Sequence, residues 1–362
     1  MRRILLVVFL FFCLFSAAFS IEIKHTREFT LFQDENTFIS APGSFFVTED
    51  NMLFVLDKKA SDIKIFDENG KLVNVFGKKG MGPDEFILPY VSTYKKPYVA
   101  LVDTRRRRFF IYKRSGVGNL EFEKLCLNLD VPNDIDFMDN GKFLVAGAKQ
   151  DKSGKWQNLY IYDCEKNECV FLLSHAASYG YKSESEFKRD FDNTLENIDT
   201  NQYCDWIDNT VYHVWTGDIR INKIDIKTKE VTSFGKKTEN YTAPYVSSGI
   251  RKAFLDKQPK VILEAWSKMS YVRDVFALNS KKVGLVYVGP LKKKKGVNVM
   301  LQLYSSAGDF IGEVELLQAK ASNSYELFFY FKRDKGLLYV MDTGTSEEFD
   351  QTFYVHEYLI EE

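Results

Sequence analysis

Proline is scarce in this 362-residue chain, with 8 in all, and histidine scarcer still, with 4. So few prolines exclude a collagen-like or polyproline polypeptide. His25, His175, His213 and His356 fall in different contexts, which leaves little material for a His-based metal centre. Neither sign of charge dominates. The 49 Lys and Arg stand against 50 Asp and Glu, so the broad basic face of a nucleic-acid binder is missing. Beyond the N-terminus no stretch is apolar enough to span a bilayer. There is no Gly-x-Ser-x-Gly elbow and no Cys–His pairing, so nothing marks a nucleophile. Aromatic residues are abundant instead, with 31 Phe and 20 Tyr. Flat, bulky side chains at this density favour pleated sheet. At 27% charged and 45% hydrophobic residues, the chain is folded rather than disordered.

The N-terminus reads as an address. Arg2 and Arg3 precede an apolar run from Ile4 to Phe15, and Ala18-Phe19-Ser20 offers small residues where a signal peptidase reads. The run is short for a membrane anchor. Phe11 and Phe12 stand before Cys13 where a lipoprotein signal needs small residues. Residues 1–20 are therefore expected to be a signal peptide, and 21–362 an exported, soluble domain in the periplasm or outside the cell.

Export permits disulfides, and Cys126, Cys164, Cys169 and Cys204 remain. Cys164 and Cys169 flank the turn Glu165-Lys166-Asn167-Glu168, with strand-like residues on both sides. An antiparallel hairpin there would let the sulfurs face each other, so a Cys164–Cys169 disulfide is expected. Zinc lacks a second Cys pair or a nearby His. Cys126 and Cys204 either pair or are buried thiols.

One pattern recurs along the chain. Leu53 to Asp57, a polar tip, Ile63 to Asp67, the turn Glu68-Asn69-Gly70 and Lys71 to Gly77 form three alternating strands. The order strand–tip–strand–turn–strand returns five times, with middle strands closing at Tyr112, Tyr162, Ile224, Tyr304 and Tyr358 after Phe66. A further strand precedes each copy. Four strands per unit at a spacing of roughly 40–50 residues describe an all-β, six-bladed β-propeller. A sandwich of many hairpins would not explain the repeated order. The sixth copy stops after its third strand, while Phe29 to Phe32 belongs to no other unit. That N-terminal strand is expected to close the last blade, antiparallel to Thr352–Ile360, and so cover an open edge. Excess length before the fourth and fifth middle strands reads as two helical insertions, about 178–203 and 242–270. In the first, Phe187, Phe191, Leu195 and Ile198 recur at helical spacing.

The connection Gly80-Met81-Gly82-Pro83-Asp84-Glu85-Phe86-Ile87-Leu88-Pro89 resembles that of the NHL-type six-bladed propellers of exported bacterial proteins. Asp103 with Arg108 matches the family's strand motif; Trp215 replaces the Asp beside Arg220, and Asp62 replaces the Arg after Asp57. The resemblance implies a fold and an export route. It does not decide between binding and catalysis.

The inner strands of such a ring converge on a channel and would bring Tyr90, Asp134, Asp205, Arg273 and Tyr325 to one mouth. Mixed aromatic and charged groups suit a polar ligand, saccharide or peptide, or a protein partner. The expected role is an exported binding scaffold with no catalytic residue, no metal, no cofactor and no nucleic-acid partner. The alternative is a metal-dependent enzyme of the lactonase or lyase kind, with its site in the channel. Asn133, Asp134 and Asp136 could offer oxygens to Ca²⁺, but Asx-turn capping by Asn133 or Asp134 is the simpler reading. The basic runs Arg105–Arg108 and Lys292–Lys295 read as solvated hairpin tips. Asn240-Tyr241-Thr242 is a sequon, of consequence only in a glycosylating host.

Overall fold

Strands account for nearly all of the regular structure, in six four-stranded antiparallel sheets. The computed structural model describes residues 22–33, 38–82, 84–127, 132–138, 141–179, 201–244, 267–290, 296–319, 327–344 and 351–361, with isolated positions between 185 and 265. Blade 1 comprises Pro42–Val47, Leu53–Asp57, Asp62–Phe66 and Leu72–Phe76. Blade 2 comprises Pro89–Lys95, Tyr98–Asp103, Arg108–Ser115 and Asn119–Leu127. Blade 3 runs through Pro132–Phe137, Lys142–Gln150, Trp156–Asp163 and Glu168–Ser174. Blade 4 holds Gln202–Ile207, Thr210–Trp215, Asp218–Asp225 and Val231–Phe234. Blade 5 holds Tyr271–Asn279, Lys282–Val288, Val297–Ser305 and Phe310–Ala319. Blade 6 is built from Leu327–Lys332, Leu337–Gly344, Thr352–Ile360 and the N-terminal strand Ile23–Thr30.

Burial follows position in the blade. The second strand of blade 1 is buried at every residue, because both faces of the sheet are covered, whereas its outermost strand alternates between exposed and half-buried. Each pair of neighbouring blades shares an apolar cluster. Phe54, Ile65, Leu101 and Tyr112 fill the seam between blades 1 and 2, and Leu144, Ile161, Val211 and Ile224 fill that between blades 3 and 4. The first strand of every blade lies against the first strands of both neighbours, so the six inner strands surround the axis.

Closure joins the two ends of the chain. The N-terminal strand pairs antiparallel with Thr352–Ile360 from Ile23↔Ile360 to Thr30↔Tyr354. The sequence reading placed the closing strand at Phe29 to Phe32. It starts earlier, at Ile23, because only the longer segment matches the nine-residue strand that it covers. At its end Phe32 N donates to Gly70 O at 2.9 Å. Gly70 has φ +79°, and a Cβ there would sit 2.1 Å from Thr30 O. That turn of blade 1 requires glycine because the closing strand passes over it.

The expected Cys164–Cys169 disulfide is corrected by the structure. Cys164 is bonded to Cys126, with a Cα–Cα distance of 5.6 Å, so the bridge crosses from blade 3 to the outer strand of blade 2. Hairpin register explains the choice. Tyr162 pairs with Cys169 and Asp163 with Glu168, which leaves Cys164 past the last pair and offset from Cys169. Cys164 points instead into the core between blades 2 and 3, where Cys126 also lies. Cys204 is a buried thiol.

The Gly80–Pro89 connection is a clamp. Glu85 accepts from the amides of Met81 and Gly82, both at 2.8 Å. Arg106 donates to the carbonyls of Glu85, Gly82 and Met81, so one arginine of the basic run Arg105–Arg108 is engaged with backbone. Asp103 accepts from Ile87, Leu88 and Arg106 amides. Phe86 is fully buried, edge-on to Phe110. Residues 1–20, Tyr325, Lys292–Lys295 and most of the two expected helical insertions lie outside the described residues.

Candidate ligand site in the central channel

Four of the six inner strands carry a register break near their first residues. The breaks fall between Pro42 and Phe45, Pro89 and Val91, Pro132 and Asp134, and Val272 and Asp274. A bulge adds a residue that the partner strand does not match and re-aims its side chain. The residues displaced here are Gly43 and Ser44, Tyr90, Asn133 and Arg273, and all of them line one cavity of 590 Å³ on the axis.

The mouth where the inner strands begin is cationic and aromatic. The Lys58 ammonium stands 5.0 Å from the centre of the Tyr90 ring, and the Arg273 guanidinium 6.0 Å from that of Tyr203. Burial, reinforced by the positive charge of Arg273, pulls the Lys58 pKa below its ordinary value. Two cations are thus held near each other, one half-buried and one buried.

Below them lies a layer of carboxylates. Asp134, Asp136, Asp205 and Asp274 all line the same cavity. Burial, with Asp205 as a nearby negative charge, pushes Asp134 up to about 7. The same two causes raise Asp136 well above the usual carboxylate range, and burial with Asp134 and Asp205 does so for Asp274. Asp205 forms an ion pair with Arg333 at 2.5 Å.

Many of these groups also fasten one blade to the next. Ser44 and Ser92 hydroxyls meet at 2.7 Å between blades 1 and 2. Thr93 donates to Asp136 at 3.3 Å between blades 2 and 3. Asp134 accepts from Cys204 N at 2.9 Å, and Asp205 from Ala277 N at 2.7 Å, joining blades 3 to 4 and 4 to 5. Arg273 donates to Leu327 O at 3.2 Å, and Lys332 to Thr48 O at 2.5 Å, which completes the ring through blade 6. Every seam has at least one such bond near the axis.

Four of the five residues expected at the mouth, Tyr90, Asp134, Asp205 and Arg273, share the cavity; Tyr325 lies outside the described residues. Tyr90 and Arg273 sit at bulges facing the mouth, whereas Asp134 and Asp205 are deeper and tied to neighbouring backbone. Lys58, Asp274 and Arg333 were not anticipated. Lys58 belongs to a second-strand tip, Asp274 follows a bulge, and Arg333 lies past the inner strand, so strand alternation did not place them. Asp136, a candidate calcium ligand by sequence, shares a strand face with Asp134 two residues earlier and so joins the carboxylate layer.

A closed ring of six antiparallel blades around a polar axial cavity defines a six-bladed β-propeller. Residues 33–254 match the model of the DUF5128 family, a 6-bladed beta-propeller, and the chain belongs to that family. Two solved structures share the fold. A member of the DUF4221 family from Bacteroides vulgatus ATCC 8482 aligns with a TM-score of 0.63 at 12% identity, covering 94% of this chain and 99% of that one. A protein assigned as exported, from Bacteroides fragilis NCTC 9343, aligns with a TM-score of 0.59 at 14% identity, covering 94% and 96%. No curated protein matches the sequence. Among the described residues no helix is long and apolar enough to cross a membrane.

Proposed function

We propose that this propeller is an exported scaffold that binds a small polar ligand with an anionic group, such as an acidic saccharide or a peptide carboxylate, in its central cavity. The observation that carries the reading is the pairing of Lys58 and Arg273 at a mouth walled by Tyr90 and Tyr203. A half-buried and a buried cation side by side bind an anion more strongly than exposed ones, because less water competes. Aromatic faces beside them suit the apolar side of a sugar ring or a peptide. Protonated Asp134 and its neighbours can donate hydrogen bonds to the ligand's hydroxyl or carbonyl groups. Export is supported by Arg2, Arg3 and the apolar run to Phe15, and by the assigned export of the Bacteroides fragilis protein. The Gly80–Pro89 connection supports kinship with the NHL-type propellers. No observation favours the lactonase- or lyase-like alternative.

The test is a thermal-shift and calorimetric screen of purified protein against acidic saccharides, acidic peptides and their neutral counterparts. An acidic compound should raise the melting temperature and bind one to one. Lys58→Ala and Tyr90→Ala should each weaken binding about tenfold or more; Lys58→Ala should leave the ligand-free melting temperature nearly unchanged, whereas Tyr90→Ala should lower it through lost packing. Preference for neutral compounds, or binding indifferent to both substitutions, would overturn the reading.

A further inference from the structure

Closure of the ring brings together three metal-ligating side chains that the sequence keeps far apart. His25 and Glu28 lie on the N-terminal strand and His356 on Thr352–Ile360. One potential ligand atom from each falls within 4.8 Å of the other two. His356 Nδ1 is 3.3 Å from Glu28 Oε2, close to the separation of two ligand atoms bound at about 2.0–2.1 Å to one tetrahedral zinc ion. The rings of His25 and His356 are 5.8 Å apart, and His25 also packs on Tyr358 at 5.0 Å.

The arrangement depends on an irregularity in the strand. Residues three apart on a regular strand point to opposite faces, so His25 and Glu28 would ordinarily be separated by the sheet. The register shifts between His25 and Arg27, with Thr26 as the extra residue. His25 then pairs with Tyr358 and Glu28 with His356, and alternation puts Tyr358 and His356 on one face. The bulge therefore gathers His25, Glu28 and His356 on a single side. Thr26 Oγ1 is held at 2.7 Å from Glu357 Oε1, which anchors the bulge.

From this geometry we infer that His25, Glu28 and His356 form a zinc-class divalent metal site that clips the closing strand of the propeller to its partner. Two imidazoles and a carboxylate suit Zn²⁺, with water completing four-coordination, and suit Ca²⁺ poorly. His356 is 8% exposed and lies inside the sheet, while His25 and Glu28 reach it from the surface. Two ligands come from one end of the chain and one from the other, so binding requires the closed ring and stabilises it. The site is independent of the channel and of any ligand there.

Tag-free protein, stripped with chelator and then titrated with ZnCl₂, tests the site by calorimetry and by melting temperature. The expected result is one saturable zinc per chain and a zinc-dependent rise in melting temperature, with no such rise from equal CaCl₂. His25→Ala and Glu28→Gln are exposed changes that leave folding intact; each should weaken zinc binding by more than about tenfold. His356→Ala should do the same, and the two surface variants decide the matter if it fails to fold. Absence of one-to-one binding, or zinc affinity unchanged in both His25→Ala and Glu28→Gln, would overturn the inference.

Discussion

The channel aspartates set a pH dependence that follows from where they are buried. Asp134 titrates at about 7 in the folded protein, against about 3.9 in an unfolded chain. Between those values the folded state holds a proton that the unfolded state has lost, so stability falls as pH rises through that window. Asp136 and Asp274 are raised as well and act in the same direction. His213 opposes them. Buried beside Gln202, it is lowered to about 3, so the unfolded chain takes up the extra proton below its own pKa of about 6.5 and stability falls as pH drops from there. Above pH 6.5 His213 is silent and the aspartates act alone. The melting temperature should therefore decline from pH 6.5 to about 8, and Asp134→Asn should flatten the decline. A melting temperature that rises over this range in the wild type would contradict the assigned burial.

Blades and turns were legible in the sequence because each is specified locally. Alternation marks strands such as Leu53–Asp57, and Asn69-Gly70 marks a hairpin within a few residues of the strands that it joins. Contacts between blades were not. Cys126 and Cys164 are 38 residues apart and meet only because blades 2 and 3 pack face to face; the hairpin around Cys164 gave no hint of a partner outside it. The bulges that turn Tyr90 and Arg273 toward the channel are likewise set by the neighbouring strand, not by their own alternation. Peptide mapping of non-reduced protein should recover Cys126 linked to Cys164. Cys126→Ala with Cys164→Ala should cost about 2–4 kcal/mol in denaturant unfolding, since the bridge closes a long loop of the unfolded chain. A Cys164–Cys169 peptide, or no loss of stability, would count against the inter-blade bridge.

At the scale of the whole molecule, the ring is held shut by one pairing between sequence-distant strands. Deleting residues 22–33 would strip Thr352–Ile360 of its outer partner and expose unpaired N–H and C=O groups to other chains. The deleted protein should melt well below the intact one and aggregate on heating, measured by calorimetry and light scattering. Replacing Glu361 by Ala should be nearly silent, because its contact with Lys24 is a surface ion pair. A deletion with unchanged melting temperature would mean that closure does not depend on this strand. The pairing also has a consequence in time. Lys24 and Glu361 touch across 337 positions of sequence, so Ile23–Thr30 must wait for Thr352–Ile360, the strand that it pairs with, to be synthesised. At roughly 5–20 residues per second that delay is on the order of 15–70 s. Throughout it, the nascent chain carries a β-edge with no native mate. Its vulnerability to proteases and its need for chaperones are thus concentrated before the final strand arrives, whatever the stability of the finished ring.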